Sequence, residues 1–419
     1  MTSSTLSLVL AIVYWASVGL VVYSYVLYPI LLGTVAKLFG KGSQTTARET
    51  MSPEEWPSVS LIIAAYKEEQ VILERIHNAL QMDYPADRLE ILIGCDGNED
   101  TTGELVQTVD DPRVQLMQFP VRRGKPSVLN DCVAAANGEL LAFSDANTFW
   151  DQDALKRLVS HFDELGIGGV CGQLLLTDPH TGENVDGLYW KYENQLKRWE
   201  AKIGALLGVN GAIYALRREL WQPIPANSIV DDFLIGMRVH GQGSRLLFDE
   251  RAVAREESAP NMQAEFHRRA RIGAGGFQSL FWLWPLLNPL RGSVAWAFWS
   301  HKVLRWFCPA FLAVAFIANL TLIREPLYQG LFAAQVLFYA IALLGRWIPG
   351  NGLAARLTRL TTMFVSMNAA LAVGFCRWFR NNQSGAWKRT ARSQEMDQNS
   401  RQSNSFKLDE EKEMESVNS

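Results

Sequence analysis

Apolar positions fall along this chain in two regimes: uninterrupted runs near its ends, and short blocks separated by polar turns between about residues 50 and 270. The first 36 residues carry no charged side chain, which exceeds the roughly 20 residues that cross a bilayer. This predicts one transmembrane helix within residues 1–48, tilted or broken near Pro29. A cleaved signal peptide would need a charged start and a shorter apolar core, and neither is present. Three more uncharged runs, at 306–323, 326–345 and 360–376, predict transmembrane helices within residues 306–380. GFQSLFWLWPLLNP (276–289) is uncharged too, but its two prolines and Asn288 argue against a straight span. Residues 273–305 are therefore predicted as interfacial helices, with HKVLRWF (301–307) docking the central region on the bilayer.

The central blocks have the rhythm of an α/β domain. SVSLIIAA (58–65), LEILIGCDG (89–97), RVQLMQF (113–119) and ELLAFSDAN (139–147) read as strands. Between them, Val71, Ile72, Ile76 and Leu80 put one apolar face on a helix over about 68–81, and GKPSVLNDCVAAA (124–136) opens another. GIGGVCG (166–172) does not complete a GxGxxG fingerprint and reads as a turn entering a buried strand. The alternation predicts a mainly parallel sheet with helices on both faces, one domain over residues 49–272.

In such a sheet the polar residues that follow the strands share one rim, where ligands bind. Topology alone thus gathers Tyr66 with Glu68, Asp96, and Asp145 with Asn147. Three acidic strand ends on one rim suit a polyanion held through a metal. Asp145 and Asn147 flank the small Ala146, and Mg2+ or Mn2+ takes one or two carboxylates while phosphate oxygens complete its shell. The alternative use of Asp145 is to cap the following turn.

Charge adds orientation. Lys37, Lys41 and Arg48 follow the first span, Arg291, Lys302 and Arg305 precede the second, and Arg346, Arg356 and Arg359 lie in a later loop. The positive-inside rule then places the central domain in the cytoplasm of an integral membrane protein. Three spans after the domain would send the tail outside, yet Arg377, Arg380, Lys388, Arg389 and Arg392 argue for inside. Either the last apolar run is re-entrant or residues 273–300 enter the membrane. The net charge of −3 says little, because many acids sit in the tail at 393–419, whose low apolar content predicts disorder. Cys95, Cys132, Cys171, Cys308 and Cys376 have neither zinc-ligand nor disulfide-framework spacing, and the six histidines form no HExxH or HxxxH pattern.

AAYKEE, CDGNEDTT, RRGKPSVLN, SDAN, NGAIYALRRE and IVDDF stand in one order along residues 58 to about 276. In that order they resemble the family 2 glycosyltransferases with a GT-A (Rossmann-like) fold. The flanking spans resemble the membrane-integrated branch that includes cellulose, hyaluronan and poly-N-acetylglucosamine synthases. The resemblance implies that Tyr66 and Glu68 lie against the uracil, Asp96 recognises the uridine, and Lys125 lies near the nucleotide phosphates. SDAN takes the place of the metal-binding Asp-x-Asp, with Asn147 replacing the second acid, and NGAIYALRRE (210–219) lies under the acceptor sugar. IVDDF makes Asp232 the general base, since an inverting transfer needs a carboxylate to take the acceptor proton. The resemblance departs at EFHRRARIGAGG, where Arg268 stands for the Gln of Gln-x-x-Arg-Trp, Arg271 remains, and Ile272 stands for Trp. Arg268 and Arg271 are thereby diphosphate contacts, and their position after IVDDF favours this over nucleic acid. The acceptor-stacking indole is absent. Trp190 and Trp199 are either substitutes for it or ordinary helix packing.

These implications describe an inverting glycosyltransferase with a UDP-sugar donor, UDP-glucose or UDP-N-acetylglucosamine, and a divalent cation. The acceptor is a growing polysaccharide or, alternatively, a membrane lipid that receives one sugar. A reading of another class is a non-catalytic membrane sensor of nucleotide sugars.

Overall fold

The structure, a computed structural model, describes residues 3–40, 55–178, 181, 187–258, 262–345 and 352–381. Lys41, Arg48, Arg346, Lys388, Arg389, Arg392 and the acidic tail 393–419 lie outside the described residues, as does the side chain of Arg356.

The central blocks form one eight-stranded sheet of β1 (Val59–Ala65), β2 (Leu89–Asp96), β3 (Val114–Phe119), β4 (Leu140–Asp145), β5 (Phe149–Trp150), β6 (Ile167–Thr177), β7 (Tyr214–Arg217) and β8 (Arg245–Glu257). Their spatial order is β3-β2-β1-β4-β7-β6-β8-β5. The half containing β3, β2, β1 and β4 is parallel, with crossovers through α3 (Ile72–Leu80), α4 (Thr102–Gln107) and α5 (Lys125–Ala135). All seven residues of β1 are buried, as a strand covered on both faces requires. Leu61, Ile63, Ile91 and Ile93 pack on Ile72 and Ile76 on one side, while Ile62, Leu92 and Phe143 pack on Val128 and Leu129 on the other.

The sheet is mainly parallel, as expected, and its second half holds the two reversed strands, β7 and β5. β7 is antiparallel to both β4 and β6, and β5 is antiparallel to β8, while β6 and β8 are parallel. A tight turn closed by a bridge between Asn210 and Ile213 stands immediately before β7, which runs opposite to both of its neighbours. The remaining helices of this region are α6 (Ala154–Val159), α7 (Leu188–Lys202), α8 (Asp231–Gly241) and α9 (Met262–Leu283).

Among the described residues, four helices are long and apolar enough to cross a membrane: Thr5–Leu38, Ser293–Thr321, Pro326–Leu344 and Leu357–Phe379. The first comprises α1 (Ser3–Val22), a π turn at Tyr23–Leu27 and α2 (Tyr28–Leu38). The expected break near Pro29 is this π turn. Proline has no N–H to donate, and just ahead of it the Tyr28 N–H reaches back to the Tyr23 carbonyl, one residue further than in an α-helix. The second joins α10 (Ser293–Ala297) through a π turn at Phe298–Val303 to α11 (Leu304–Thr321), and so begins ahead of the uncharged run at 306.

Two side chains near its start, His301 and Arg305, are turned inward. His301 Nδ1 lies 2.5 Å from Glu200 Oε1 and its Nε2 lies 3.1 Å from Glu193 Oε2. Arg305 Nη1 donates to Glu193 Oε1 at 2.7 Å, and Tyr28 Oη donates to Glu200 Oε1 at 2.9 Å. Both carboxylates belong to α7, so a buried ionic cluster joins the sheet domain to α2 and to the second span. Trp199, also on α7, packs against α2, where a Cβ on Gly33 would lie 3.1 Å from its ring; helix packing is its use here. Tyr28→Phe should cost about 1.5–3 kcal/mol, the value of a hydrogen bond to a charged group, read as earlier equilibrium unfolding in mixed micelles.

α11 lies along α1, and α13 (Leu353–Phe379) packs on α11, on α12 (Pro326–Leu344) and on α9. Tyr14 packs on Tyr328 at 5.6 Å and clusters with Ala315, Ala318 and Leu322, which marks the ends far from the sheet domain. Tyr25 beside the Arg305 guanidinium, at 5.0 Å, marks the near ends. Along α13, Thr362 Oγ1 donates to the Ala342 carbonyl, Phe364 packs on Tyr25 and on Phe338, and Trp378 reaches Phe277 and Phe281 on α9. The helix crosses α9 closely, since a Cβ on Gly374 would lie 2.6 Å from the Ala270 carbonyl oxygen.

Candidate active site

The parallel half of the sheet delivers its strand ends to one rim. Past β1, Tyr66 is buried; its hydroxyl donates to Glu99 Oε2 at 3.1 Å, and the Arg122 guanidinium lies 3.8 Å from the centre of its ring. Glu68 is also buried, and its backbone N–H donates to Thr102 Oγ1 at 2.9 Å. Asp96, the last residue of β2, is buried with both oxygens engaged: Oδ1 accepts the Arg123 N–H at 2.7 Å and Oδ2 the Gly124 N–H at 2.8 Å. Gly124 has φ +91°, a conformation that costs glycine little. Asp96 thereby shapes the basic RRGK loop and sets the start of α5.

That start puts Lys125 in the middle of the acids. Its Nζ lies 2.6 Å from Asp145 Oδ1, at the end of β4, and 3.6 Å from Asp231 Oδ2, in the first turn of α8. Burial opposes the ammonium charge, but Asp145, Asp231 and Asp232 outweigh it and hold the lysine above its usual range. Asp232 Oδ2 accepts the Gly211 N–H at 3.2 Å and Oδ1 accepts the Phe233 N–H at 2.7 Å. Burial and then the neighbouring Asp231 raise the Asp232 carboxyl above the ordinary range. Gly211 belongs to the NGAIYALRRE segment, whose Asn210 Nδ2 is anchored on the Gly172 carbonyl at 2.7 Å.

Asn147 Nδ2 donates to Glu256 Oε1 at 3.3 Å. Glu256, near the end of β8, was not singled out from sequence. Burial and the charge of Asp145 push its carboxyl up to about 7. The available signal was a strand ending in acids, AREESAP, but its place beside Asn147 depends on β8 pairing with β6 and β5.

Arg268 grips Glu265 through Nε at 2.8 Å and Nη2 at 3.2 Å, and its charge also bears on Glu256. Arg271 Nη1 donates to the Ile229 carbonyl at 3.0 Å, so in this structure it braces the chain that leads into Asp231 and Asp232. Gln278 accepts the Ile229 N–H at 3.0 Å and donates to the Asn227 carbonyl at 2.9 Å. A Cβ on Gly275 would lie 2.2 Å from Val230 Cγ2; only a glycine lets α9 press against this segment.

The structure thus joins Lys125 directly to Asp145 and Asp231, with Asp232 next to Asp231 in the chain, Asp96 holding the N–H of Gly124 just before the lysine, and Asn147 and Glu256 paired beside Asp145. Tyr66 and Glu68 stand at the β1 edge of the rim, and Arg268 and Arg271 on α9.

The family model described as glycosyl transferase family group 2 matches residues 141–375, and glycosyl transferase family 2 matches residues 60–221. The beta-monoglucosyldiacylglycerol synthase of Synechocystis is 26% identical over 322 residues, 71% of this chain and 65% of the relative. A probable glycosyltransferase of Bacillus subtilis, YdaM, is 26% identical over 54% of this chain and 57% of the relative. The poly-beta-1,6-N-acetyl-D-glucosamine synthase of Staphylococcus aureus is 22% identical over 54% and 56% respectively. The chain therefore spans less than two thirds of the length of each. Among solved structures, the mannosyltransferase PcManGT of Pyrobaculum calidifontis, in complex with GDP-Man and Mn2+, shares the fold at TM-score 0.66 and 20% identity, covering 88% of this chain and 100% of that one. With parallel strands that carry their acids to one rim, and a family match across more than half of its length, the chain belongs to the family 2 glycosyltransferases of GT-A fold and is a transferase.

Proposed function

We propose that the protein is an inverting glycosyltransferase that moves a hexose or N-acetylhexosamine from a UDP-sugar to a hydroxyl of an acceptor at the membrane, with its sheet domain in the cytoplasm. The observation that carries this is Asp232: a carboxylate with a raised pKa, oriented by two backbone N–H groups, beside an ammonium that stands between acids on the nucleotide rim. A group that only binds nucleotide has no need of such a base. In this reading Asp232 takes the proton of the attacking hydroxyl, Lys125 with Arg268 and Arg271 neutralises the departing diphosphate, and Tyr66, Glu68 and Asp96 hold the nucleoside.

A divalent cation fits the residues present. The donors at the rim, Asp145, Asn147 and the adjoining Glu256, are oxygens, which Mg2+ and Mn2+ prefer. Among the described residues no three His, Cys, Asp or Glu side chains cluster closely enough to hold an ion alone, as suits a cation whose shell is completed by diphosphate oxygens. Bound there, the cation would supply charge neutralisation for the leaving group.

Of the two acceptors, a membrane lipid has the better support. Position 272 is a half-exposed isoleucine where polymerising relatives carry the acceptor-stacking indole, and Trp199 is occupied with packing on α2. Incubating membranes that contain the protein with a panel of UDP-sugars and sizing the products tests the proposal: one-sugar lipids support it, long chains favour a polysaccharide acceptor, and consumption of no sugar nucleotide favours a sensor. Gly275→Val should push the Asn227–Val230 segment off α9 and lower transfer at least about tenfold, while UDP affinity, measured by calorimetry, stays close to that of the wild type.

A further inference from the structure

We infer that the groove between α9, the end of α13 and the Asn227–Ile229 segment binds the headgroup of a neutral, hydroxyl-bearing membrane lipid, the acceptor of the transfer; as an acceptor site it rests on the reading above. The groove encloses about 240 Å³. That is below the roughly 300–1,000 Å³ of clefts that swallow drug-sized ligands, and it suits a small headgroup whose acyl chains stay outside.

Three features define the occupant. The first is depth relative to the bilayer. Trp378 stacks on Phe281 at 5.3 Å, and the adjoining Phe277 packs on Trp306 at 6.1 Å and Phe307 at 5.5 Å in the first turn of α11. The groove therefore opens at the domain-proximal end of the spans. Phe281 and Trp284 stand 64% and 68% exposed there, as aromatic side chains do at headgroup level.

The second is polarity. The lining offers the amides of Asn227, Gln278 and Asn381 against the rings of Phe281, Trp282 and Trp378, and no charged side chain. Amides donate to and accept from hydroxyls, whereas a phosphate headgroup calls for arginine or lysine.

The third is reach. Ile229 lines the groove and precedes Asp232 by three residues, a span of at most about 11 Å of extended chain. Arg271 and Gln278 fix its backbone in place. The groove and the proposed base thus lie on one short braced segment, with α9 packed against it and the nucleotide rim at the strand ends.

The test uses the full chain in phosphatidylcholine nanodiscs with a diacylglycerol that carries a diazirine beside its ester carbonyl. Photolabel is expected on the peptides containing Phe281–Trp284 or Trp378. Unlabelled dioleoylglycerol should compete it away and dioleoylphosphatidylglycerol should not. Phe281→Glu should lower labelling at least fivefold, Phe281→Leu should retain it, and Trp282→Ala gives an independent second variant. Label confined to the lipid faces of α1, α11 and α12, equal competition by the anionic lipid, or undiminished labelling of both Phe281→Glu and Trp282→Ala overturns the site. Labelling needs no turnover, so the two readings fail separately. Labelled groove without consumption of any UDP-sugar removes the transferase reading and keeps the lipid site, and transfer to lipid without groove label does the reverse.

Discussion

Asp232→Asn should reduce sugar transfer by about a thousandfold, within the 10²–10⁴ that a positioned general base contributes, while UDP binding persists. The substitution keeps the size of the side chain and one of its two anchors, since the Gly211 and Phe233 N–H groups meet different carboxylate oxygens and a single amide oxygen accepts only one of them. What it removes beyond the other anchor is the capacity to take a proton. Asp231, whose Oδ2 faces Lys125 at 3.6 Å, is not a substitute, because it holds the ammonium. The pH profile supplies a second readout. Burial and Asp231 raise the Asp232 carboxyl, and the base works only when ionised. Transfer by the wild type should therefore fall as pH drops through that raised pKa, with an acid limb at higher pH than an ordinary aspartate would give, and the residual rate of the variant should lack that limb. Full turnover of radiolabelled UDP-sugar by the variant would remove Asp232 from the chemistry.

How much of this site was readable from the chain alone follows from the range of the interactions that build it. β1, β2 and β4 announce themselves as apolar runs, and parallel crossovers are so constrained in hand and direction that their polar ends must share a rim; Asp96 and Asp145 follow from that, whereas Lys125, at the start of α5, is reached only through the motif resemblance. The antiparallel β7 is different. Its direction is set by the turn at Asn210–Ile213 and by its neighbours β4 and β6, contacts that no local period encodes. Glu256 was hidden for the same reason, since it reaches Asn147 only through a strand pairing that spans more than a hundred residues. The ionic cluster was hidden in the same way: His301 and Arg305 stand beside an apolar run, and their partners Glu193 and Glu200 lie a hundred residues away on α7. Arg271 matched a motif that implies a diphosphate contact, while its hydrogen bond in this structure goes to the Ile229 carbonyl. A motif specifies residue and order; partner and distance come from packing.

Asp145→Asn is expected to cost about 10²–10³ in transfer rate, the range for removing one preorganised electrostatic contact to developing charge, and to abolish the response of the enzyme to added Mn2+. Asp145 stands at the end of the central parallel strands, with Lys125 at 2.6 Å. Its carboxylate both balances that ammonium and offers the anionic oxygen of the Asp-x-Asn pair, while Asn147 contributes only a neutral oxygen. Removing the charge leaves Lys125 with Asp231 as its near counter-ion and leaves the rim without the carboxylate that a hard cation requires. Glu256→Gln should act more mildly: it loosens the support of Asn147 and should raise the Mn2+ concentration for half-maximal binding about 10–100-fold, the usual effect of losing a group that orients a ligand. Mn2+ binding followed by electron paramagnetic resonance in the presence of UDP reads both variants without turnover. Unchanged Mn2+ binding by Asp145→Asn would move the cation away from the end of β4, and an Asp145→Asn defect in rate with intact Mn2+ binding would assign the carboxylate to positioning Lys125 instead.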